Sequence, residues 1–239
     1  MDYLRLLTFV ISALVFSLVT IVLVSIPNLA TEGATLQEKA SYLLINSKAK
    51  FKNLLPENKK KKIFILISTV VQIALAVWMC FAFPDSTTLY IVRVLALISV
   101  MFAAAYVDAV DMIIPNIFIV IGLIFFLIFT IIEAVLLPND LIINLKDSLI
   151  TAAIVVVILL VLRLMSGGGI GFGDLKLMLL MGLMQGSANT FQSVFAGLLI
   201  IFVVALVMLF SKKINRKDPI PFAPYLLLGV IVSIALTGV

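Results

Sequence analysis

Apolar stretches of about 20 residues recur along this chain and decide its fold class. Such a stretch crosses a bilayer as a helix, because the hydrocarbon core is about 30 Å thick and a helix rises about 1.5 Å per residue. Six stretches pass this test comfortably: 6–26, 63–83, 89–107, 117–137, 191–210 and 220–239. The chain is 64% hydrophobic and only 12% charged, so the bilayer must be the solvent for most of it. The predicted fold is an all-α, polytopic integral membrane bundle.

Two further stretches are weaker candidates for membrane spans. The stretch 149–164 is shorter, although Arg163 can extend its charged end to the interface. The stretch 175–184 is short and flanked by glycine, so we expect it to be tilted, buried in protein or less than a full span. The predicted number of spans is eight, with seven as the alternative.

The distribution of lysine and arginine predicts how the chain is oriented in the membrane and suggests its division into two regions. Eight lysines lie in the 28–62 loop, and four more basic residues lie at 211–219. Basic loops stay in the cytoplasm, which places 108–116 and 165–174 inside and 138–147 outside. We therefore expect a multi-pass plasma-membrane protein in two parts. Residues 1–62 form the first span and a short cytoplasmic loop, in which 39–51 is a candidate interfacial helix. Residues 63–239 form the helical membrane domain.

The basic block at 59–62 directly precedes a span, and the chain carries a net charge of +5. A juxtamembrane anchor on anionic lipid explains this block better than nucleic-acid binding does. Membrane lipids are therefore expected partners, and nucleic acid is not.

The residue inventory restricts the chemistry. The chain has no histidine and one cysteine, Cys80, inside an apolar run. Histidine catalysis, a disulfide and the common zinc sites are therefore excluded. No metal site is predicted, and any catalysis must use Asp, Glu, Lys, Ser, Thr or Tyr.

The first cluster of polar residues lies at the end of the third predicted span. Asp108 and Asp111 are spaced i, i+3, so they share a face if the helix continues. Pro115 and Asn116 follow, and a proline is well suited to the first turn of the next helix. Taken alone, this cluster is more simply explained as a pair of solvated acids in a turn.

The second cluster opens the sixth predicted span. Five glycines lie between 167 and 173, and Asp174 and Lys176 follow them. Glycine lets the backbone adopt unusual conformations and lets another chain approach closely. Taken alone, this is a flexible loop with Asp174 as the N-cap of the next helix. Nucleotide binding is weaker, since no strand precedes the glycines and no Walker-type Gly-Lys-Ser/Thr follows.

Together, the two clusters predict an aspartyl dyad that pairs an acid of the first cluster with Asp174 of the second. Both acids fall at the same predicted depth and on the same side of the membrane. Two close carboxylates cannot both ionise easily, so one keeps a proton while the other activates water. Peptide hydrolysis needs both of these roles.

These motifs resemble those of the type IV prepilin peptidases, which include the preflagellin peptidases. Their first motif is an aspartate followed seven positions later by Pro-Asn or Pro-Asp, here Asp108 with Pro115 and Asn116. Their second is G-x-G-D-x-K-L, here residues 171–177. A proline-rich stretch at 219–226 is similar to one in bacterial members. The resemblance implies that Asp108 and Asp174 are catalytic. We expect the following residues to shape the site or contact substrate: Asp111, Pro115, Asn116, Gly171, Gly173 and Lys176.

The resemblance also implies an activity and a partner. A membrane aspartic endopeptidase would cleave the leader of type IV prepilin-like proteins at the cytoplasmic face, without a metal or organic cofactor. The substrate would carry a hydrophobic N-terminal helix. Many bacterial members also carry two Cys-x-x-Cys pairs after the first span and methylate the product with S-adenosylmethionine. The loop at 28–62 has no cysteine, so N-methylation and S-adenosylmethionine are doubtful here.

Two functions from other classes stay open on the sequence. A transporter could use Asp108, Asp111 and Asp174 as an ion or proton site, although the chain shows no repeated half. A non-catalytic component of a pilus or secretion machine would tolerate loss of either aspartate. Arg93 and Glu133, both inside predicted spans, are expected to form a structural ion pair.

Overall fold

The computed structural model describes residues 3–25, 59–84, 86–165, 171–211 and 220–237. Within these ranges the chain forms eight helices and no strand, which confirms the predicted all-α membrane fold. The helices are α1 (Tyr3–Ser25), α2 (Lys59–Ala82), α3 (Thr88–Asp111), α4 (Asn116–Leu136), α5 (Pro138–Met165), α6 (Phe172–Gln185), α7 (Ser187–Phe210) and α8 (Ala223–Thr237).

Six of these helices are long and apolar enough to cross a membrane, namely α1 to α5 and α7. The last helix, α8, is apolar but shorter. Helix α6 has only 14 residues, or about 21 Å, which is less than the hydrocarbon thickness. It is also largely buried, with Leu177, Leu180 and Met181 fully inside the protein. Of the three alternatives expected for this segment, the structure supports two, burial in protein and less than a full span.

Helix α3 is the central element of the bundle. It contacts α1, α2, α4, α6 and α8, and nearly every side chain from Val94 to Ala105 is buried. Alanines at 96 and 103–105 face these contacts, and small residues let neighbouring helices approach closely. Because Asp108 follows on the same helix, its backbone is held by the most constrained element of the fold.

Helices α7 and α8 pack with backbone close to backbone. A Cβ at Gly229 of α8 would overlap the carbonyl oxygen of Ser193 and lie 2.6 Å from the nitrogen of Gly197, both on α7. No side chain fits there, so glycine is required for this contact. The packing holds the start of α8 in place, and that start reaches the candidate site described below.

Two sequence-based boundaries were wrong. The segment 138–147 was predicted as an outer loop, but it forms the beginning of α5, with Pro138 as the first helical residue. Asp140, Asn144 and Lys146 are exposed on this extension, so polarity there marks a solvated part of the helix. The predicted turn at 108–116 is also shorter, because α3 continues to Asp111.

Several predictions concern residues outside those the structure describes. They are most of the 28–62 loop with its interfacial helix at 39–51, the glycines at 167–169, and the basic residues at 212–217. The block at 59–62 is an exception, since it forms the first turn of α2. Membrane orientation and the division at residue 62 stay predictions.

Candidate active site

Asp108 lies in the last turn of α3 and is only 5% exposed. Its Oδ2 accepts a hydrogen bond of 2.8 Å from the backbone N–H of Ala223, the first residue of α8. The backbone of Phe222 also interacts with this carboxylate. The first N–H groups of a helix have no partner within the helix, so Asp108 caps α8 from 115 residues away in sequence.

The remaining residues of the first cluster make the connection from α3 to α4. Asp111 ends α3 and is half-buried, and it shares the last helical turn with Asp108 as predicted. Met112 reverses the chain with a left-handed backbone at φ 55°. Pro115 was expected in the first turn of α4, but it lies one residue earlier as the extended N-cap. Asn116 is the first residue of α4 and is exposed.

Asp174 is the third residue of α6 and is half-buried. Its carboxylate hydrogen bonds back to the backbone of Gly171, which is the N-cap with extended backbone angles. The simple N-cap interpretation of Asp174 is therefore wrong. The carboxylate instead bonds to the backbone of the N-cap residue, as the Glu or Gln side chain does at the third helical position of a capping box. This contact fixes the direction of the side chain at the start of α6.

Two contacts join the clusters. A Cβ at Gly173 would lie 3.0 Å from the Cβ of Ile114, so the segment between α3 and α4 packs directly on the backbone of α6. Lys176 Nζ donates a hydrogen bond of 2.8 Å to Asn116 Oδ1. The structure thus brings the two predicted clusters together, and Gly173, Asn116 and Lys176 make the contacts between them.

The two carboxylates influence each other electrostatically. Burial, followed by the negative charge of Asp108, raises the pKa of Asp174 to about 6. Within the described ranges neither carboxylate forms an ion pair, and no group of three or more potential ligands could hold a metal ion. A raised carboxyl pKa beside a second acid is the condition under which one proton is shared by a pair.

A cavity of about 580 Å³ opens beside this pair. Asp174 and Phe222 line one part of it, and the other described lining residues are apolar side chains of α5, α6, α7 and Ile220. Phe222 connects the cavity to the second acid, because its backbone also hydrogen bonds to the carboxylate of Asp108. The site therefore combines two acids with an apolar recess.

The other end of α6 holds the second group of buried charges. Arg93 and Glu133 are both buried and lie 3.6 Å apart, which confirms the predicted ion pair. Arg93 also donates hydrogen bonds to Ser148 Oγ and to the carbonyl oxygen of Leu183 near the end of α6. The last carbonyl groups of a helix have no partner within it, so the arginine supplies one.

Sequence reasoning missed the neighbours that complete this end of α6. Tyr90 donates a 2.7 Å hydrogen bond to the carbonyl of Gln185, and Asp147 Oδ2 accepts one of 2.8 Å from Ser187 N–H at the start of α7. Sequence reasoning noted the stretch 219–226 but gave its residues Phe222 and Ala223 no role at the site. A signal for Ala223 existed, because the helix after Pro221 begins without a side chain able to cap it.

Comparison with known families and proteins gives one match. Residues 95–210 match the model of the type IV leader peptidase family. This segment runs from within α3 to the end of α7 and contains every candidate site residue named from the sequence. No curated protein and no solved structure matches the chain.

Proposed function

We propose that this chain, whose residues 95–210 match the type IV leader peptidase family, is an aspartic endopeptidase with Asp108 and Asp174 as its catalytic pair. The multi-pass helical bundle makes it a membrane peptidase. One observation supports the catalytic assignment above all others. The contacts between Gly173 and Ile114 and between Lys176 and Asn116 bring the segments that carry the two acids together, the charge of Asp108 contributes to the raised pKa of Asp174, and neither acid is paired with a cation in the described residues.

The surroundings of the two acids suggest different roles. Asp108 accepts a hydrogen bond from the backbone N–H of Ala223 at the start of α8, which fixes the direction of its carboxylate. Asp174, with its pKa raised to about 6, is better suited to keep a proton. We therefore assign Asp108 as the base and Asp174 as the acid.

In the proposed hydrolysis, each of the two steps moves one proton through Asp108 and one through Asp174. Asp108 takes a proton from water as the oxygen attacks the scissile carbonyl, while Asp174 gives its proton to the carbonyl oxygen. The tetrahedral diol collapses when one hydroxyl proton returns to Asp174 and Asp108 gives its proton to the leaving amine. The C–N bond breaks and both acids regain their starting states, so no metal or organic cofactor is needed for proteolysis.

The other candidate site residues, which all lie in the segment matched by the family, would shape the site. Gly173 lets the segment before α4 pack against α6, and Lys176 bonds to Asn116 across the same contact. Pro115 and Gly171 are the extended N-caps of the two helices that begin at the site. Asp111, half-buried one turn after Asp108, would contact the substrate.

We propose a prepilin-like substrate with a basic leader followed by a hydrophobic helix, as the family match implies. Cleavage would occur at the cytoplasmic face of the plasma membrane, between leader and helix. The predicted clustering of basic loops on that side supports this orientation. Membrane lipid is a further partner. S-adenosylmethionine would be needed only if the product is also N-methylated.

The test is a cleavage assay with the purified full chain in lipid vesicles and a prepilin-like substrate. We expect Asp108→Asn and Asp174→Asn each to lower the rate at least about 10³-fold, while Asp111→Asn retains more activity. The mass of the product reports leader removal and any added methyl group. A folded Asp108→Asn or Asp174→Asn protein that cleaves at the normal rate would refute the assignment. Ion flux through vesicles without any cleavage would favour transport.

A further inference from the structure

The cavity beside Asp174 has walls with helical periodicity. On α5 its lining residues are Val155, Ile158, Leu159 and Leu162, and on α7 they are Phe191, Val194, Phe195 and Leu198. Both sets follow the spacing i, i+3, i+4, i+7, which places each set on one face of its helix. Two apolar stripes therefore face a shared gap.

The gap has a closed floor and open sides. Val155, Leu159 and the α6 residue Met178 are buried and form the floor. The wall residues at 158, 162, 191, 195 and 198 are between 41% and 67% exposed. The feature is therefore a groove with apolar walls that opens towards the bilayer. We call it the α5–α7 groove.

The α5–α7 groove has a direction relative to the carboxylates. Asp174 supplies the charged side chain among its described lining residues and lies in the first turn of α6. Helix α6 runs from there to Gln185, and α7 begins at Ser187 and returns. Phe191 is thus near the far end of the groove, and the α7 stripe extends about 10 Å along the helix axis.

We propose that the α5–α7 groove binds the first two turns of the substrate's hydrophobic helix, directly after the scissile bond. This inference rests on the proposed function and assigns the place where its substrate is held. Ridges at i, i+3, i+4 and i+7 on two helices form the surface into which a third helix packs.

The arrangement of charged and apolar side chains along the groove favours a substrate helix over a lipid acyl chain. A substrate cut at the N-terminal end of its helix must present polar backbone at the carboxylates and apolar side chains beyond them. The α5–α7 groove places Asp174 at one end and only apolar side chains after it. An acyl chain would also suit apolar walls, but it has no peptide bond to bring to Asp174.

The first test uses Ile158→Trp, which fills the groove from a wall position that is 47% exposed. Leu127→Trp on α4 is the matched control, since Leu127 is 58% exposed and does not line the groove. Each variant is assayed on a substrate with a helix of about 20 apolar residues and on a short peptide ending just after the scissile bond.

We expect Ile158→Trp to lower the ratio of kcat/KM for the long substrate to that for the short peptide by at least about tenfold, or about 1.4 kcal/mol. Leu127→Trp should leave the ratio unchanged. An unchanged ratio in a folded Ile158→Trp protein would overturn the proposal. A wild-type protein that cleaves neither substrate would instead contradict the proposed function.

The second test locates the substrate directly. A photo-crosslinking residue replaces Phe195, or Leu127 as the control, in the Asp174→Asn protein, so that the long substrate stays uncut. We expect the position 195 probe to form adducts with the first two turns of the substrate helix, and the position 127 probe to form none. Adducts only with lipid at position 195, or equal substrate yields at both positions, would overturn the proposal. If the wild type cleaves only the long substrate, no ratio of kcat/KM values can be formed. The crosslinking adducts then test the proposal on their own.

Discussion

The short helix α6 has buried charge at both of its ends, and the two ends use it differently. At the end near Gln185, Arg93 is paired with Glu133 and also bonds to Ser148 and to the carbonyl of Leu183. At the beginning, Asp174 lies near a second acid, Asp108, and neither has a cationic partner in the described ranges. One end neutralises its charges, whereas the other brings like charges together.

We interpret this difference as a separation of stabilising residues from the proposed catalytic ones. A helix too short to cross the bilayer leaves polar backbone groups at membrane depth, where each needs a partner. Arg93 and Tyr90 supply partners for the last carbonyls of α6. The two acids also bond to backbone groups, of Ala223 and Gly171, but bringing two acids together is itself unfavourable, and perturbed charge arrangements of this kind cluster at functional sites. The comparison therefore predicts that substitutions at the two ends change different properties.

The largest expected loss of stability comes from Arg93→Met. Removing one partner of a buried ion pair leaves Glu133 uncompensated and costs about 3–5 kcal/mol. Thermal unfolding of the purified protein should show a marked fall in Tm. The Arg93→Met/Glu133→Gln double variant should recover part of this loss, because no unpaired charge remains. Equal instability of the single and double variants would mean that the pair contributes little beyond packing.

The next effect is expected from Gly229→Ala, at the contact of α8 with α7. The added methyl group meets backbone atoms that cannot move without separating the helices, so we expect a loss of about 1–3 kcal/mol. Cleavage should fall as well, because the start of α8 bonds to Asp108.

Gly122→Ala is the matched control for this glycine. Its methyl group would meet the end of the Leu180 side chain, which can rotate away more cheaply than backbone can move. We expect a smaller fall in Tm and in the cleavage rate. Equal losses for the two alanine variants would contradict the importance assigned to the α7–α8 contact.

A smaller effect is expected from Lys176→Met at the beginning of α6. The lost hydrogen bond to Asn116 is exposed, so the change in unfolding free energy should stay below about 1 kcal/mol. Cleavage should fall severalfold, because the bond links the segments that carry the two acids. Asn116→Ala should have the same effect, and the double variant should add little. Fully additive rate losses would show that the two residues act separately.

The smallest effect concerns the pH dependence of stability. Burial and the charge of Asp108 raise the pKa of Asp174 to about 6, above its ordinary value of 3.8. The folded state therefore holds this proton more tightly than the unfolded state. The contribution of this proton to the free energy of unfolding is fully present below about pH 4 and is lost as the pH rises through 6. We expect the Tm of Asp174→Asn, relative to wild type, to increase by a few degrees between pH 5 and 7. A constant difference would contradict the raised pKa.

Sequence patterns predicted the elements that depend on local composition and motif spacing. Apolar length predicted the helices, and motif spacing singled out Asp108 and Asp174, whose segments the structure brings together. The pairing of Arg93 with Glu133 followed from the cost of unpaired charge in a membrane. In each case a local chemical requirement limited the structures that the residues could form.

Features that depend on tertiary contact could not be predicted in this way. The bond between Ala223 and Asp108 joins residues 115 positions apart, and the missing cap at the start of α8 does not show which residue supplies it. The polar start of α5 was interpreted as a loop, since hydropathy cannot distinguish a solvated helical turn from irregular chain. The α5–α7 groove likewise depends on how far two helices stand apart.

The most direct measurement of the central claim compares Asp174→Asn with Arg93→Met in one experiment that records Tm and the cleavage rate per folded molecule. We expect Asp174→Asn to abolish cleavage while Tm stays equal to or above that of the wild type. We expect Arg93→Met to lower Tm strongly while the molecules that remain folded still cleave. Substantial cleavage by Asp174→Asn, or complete loss of cleavage by folded Arg93→Met with an unchanged Tm, would contradict the separation of a reactive end from a stabilising end of α6.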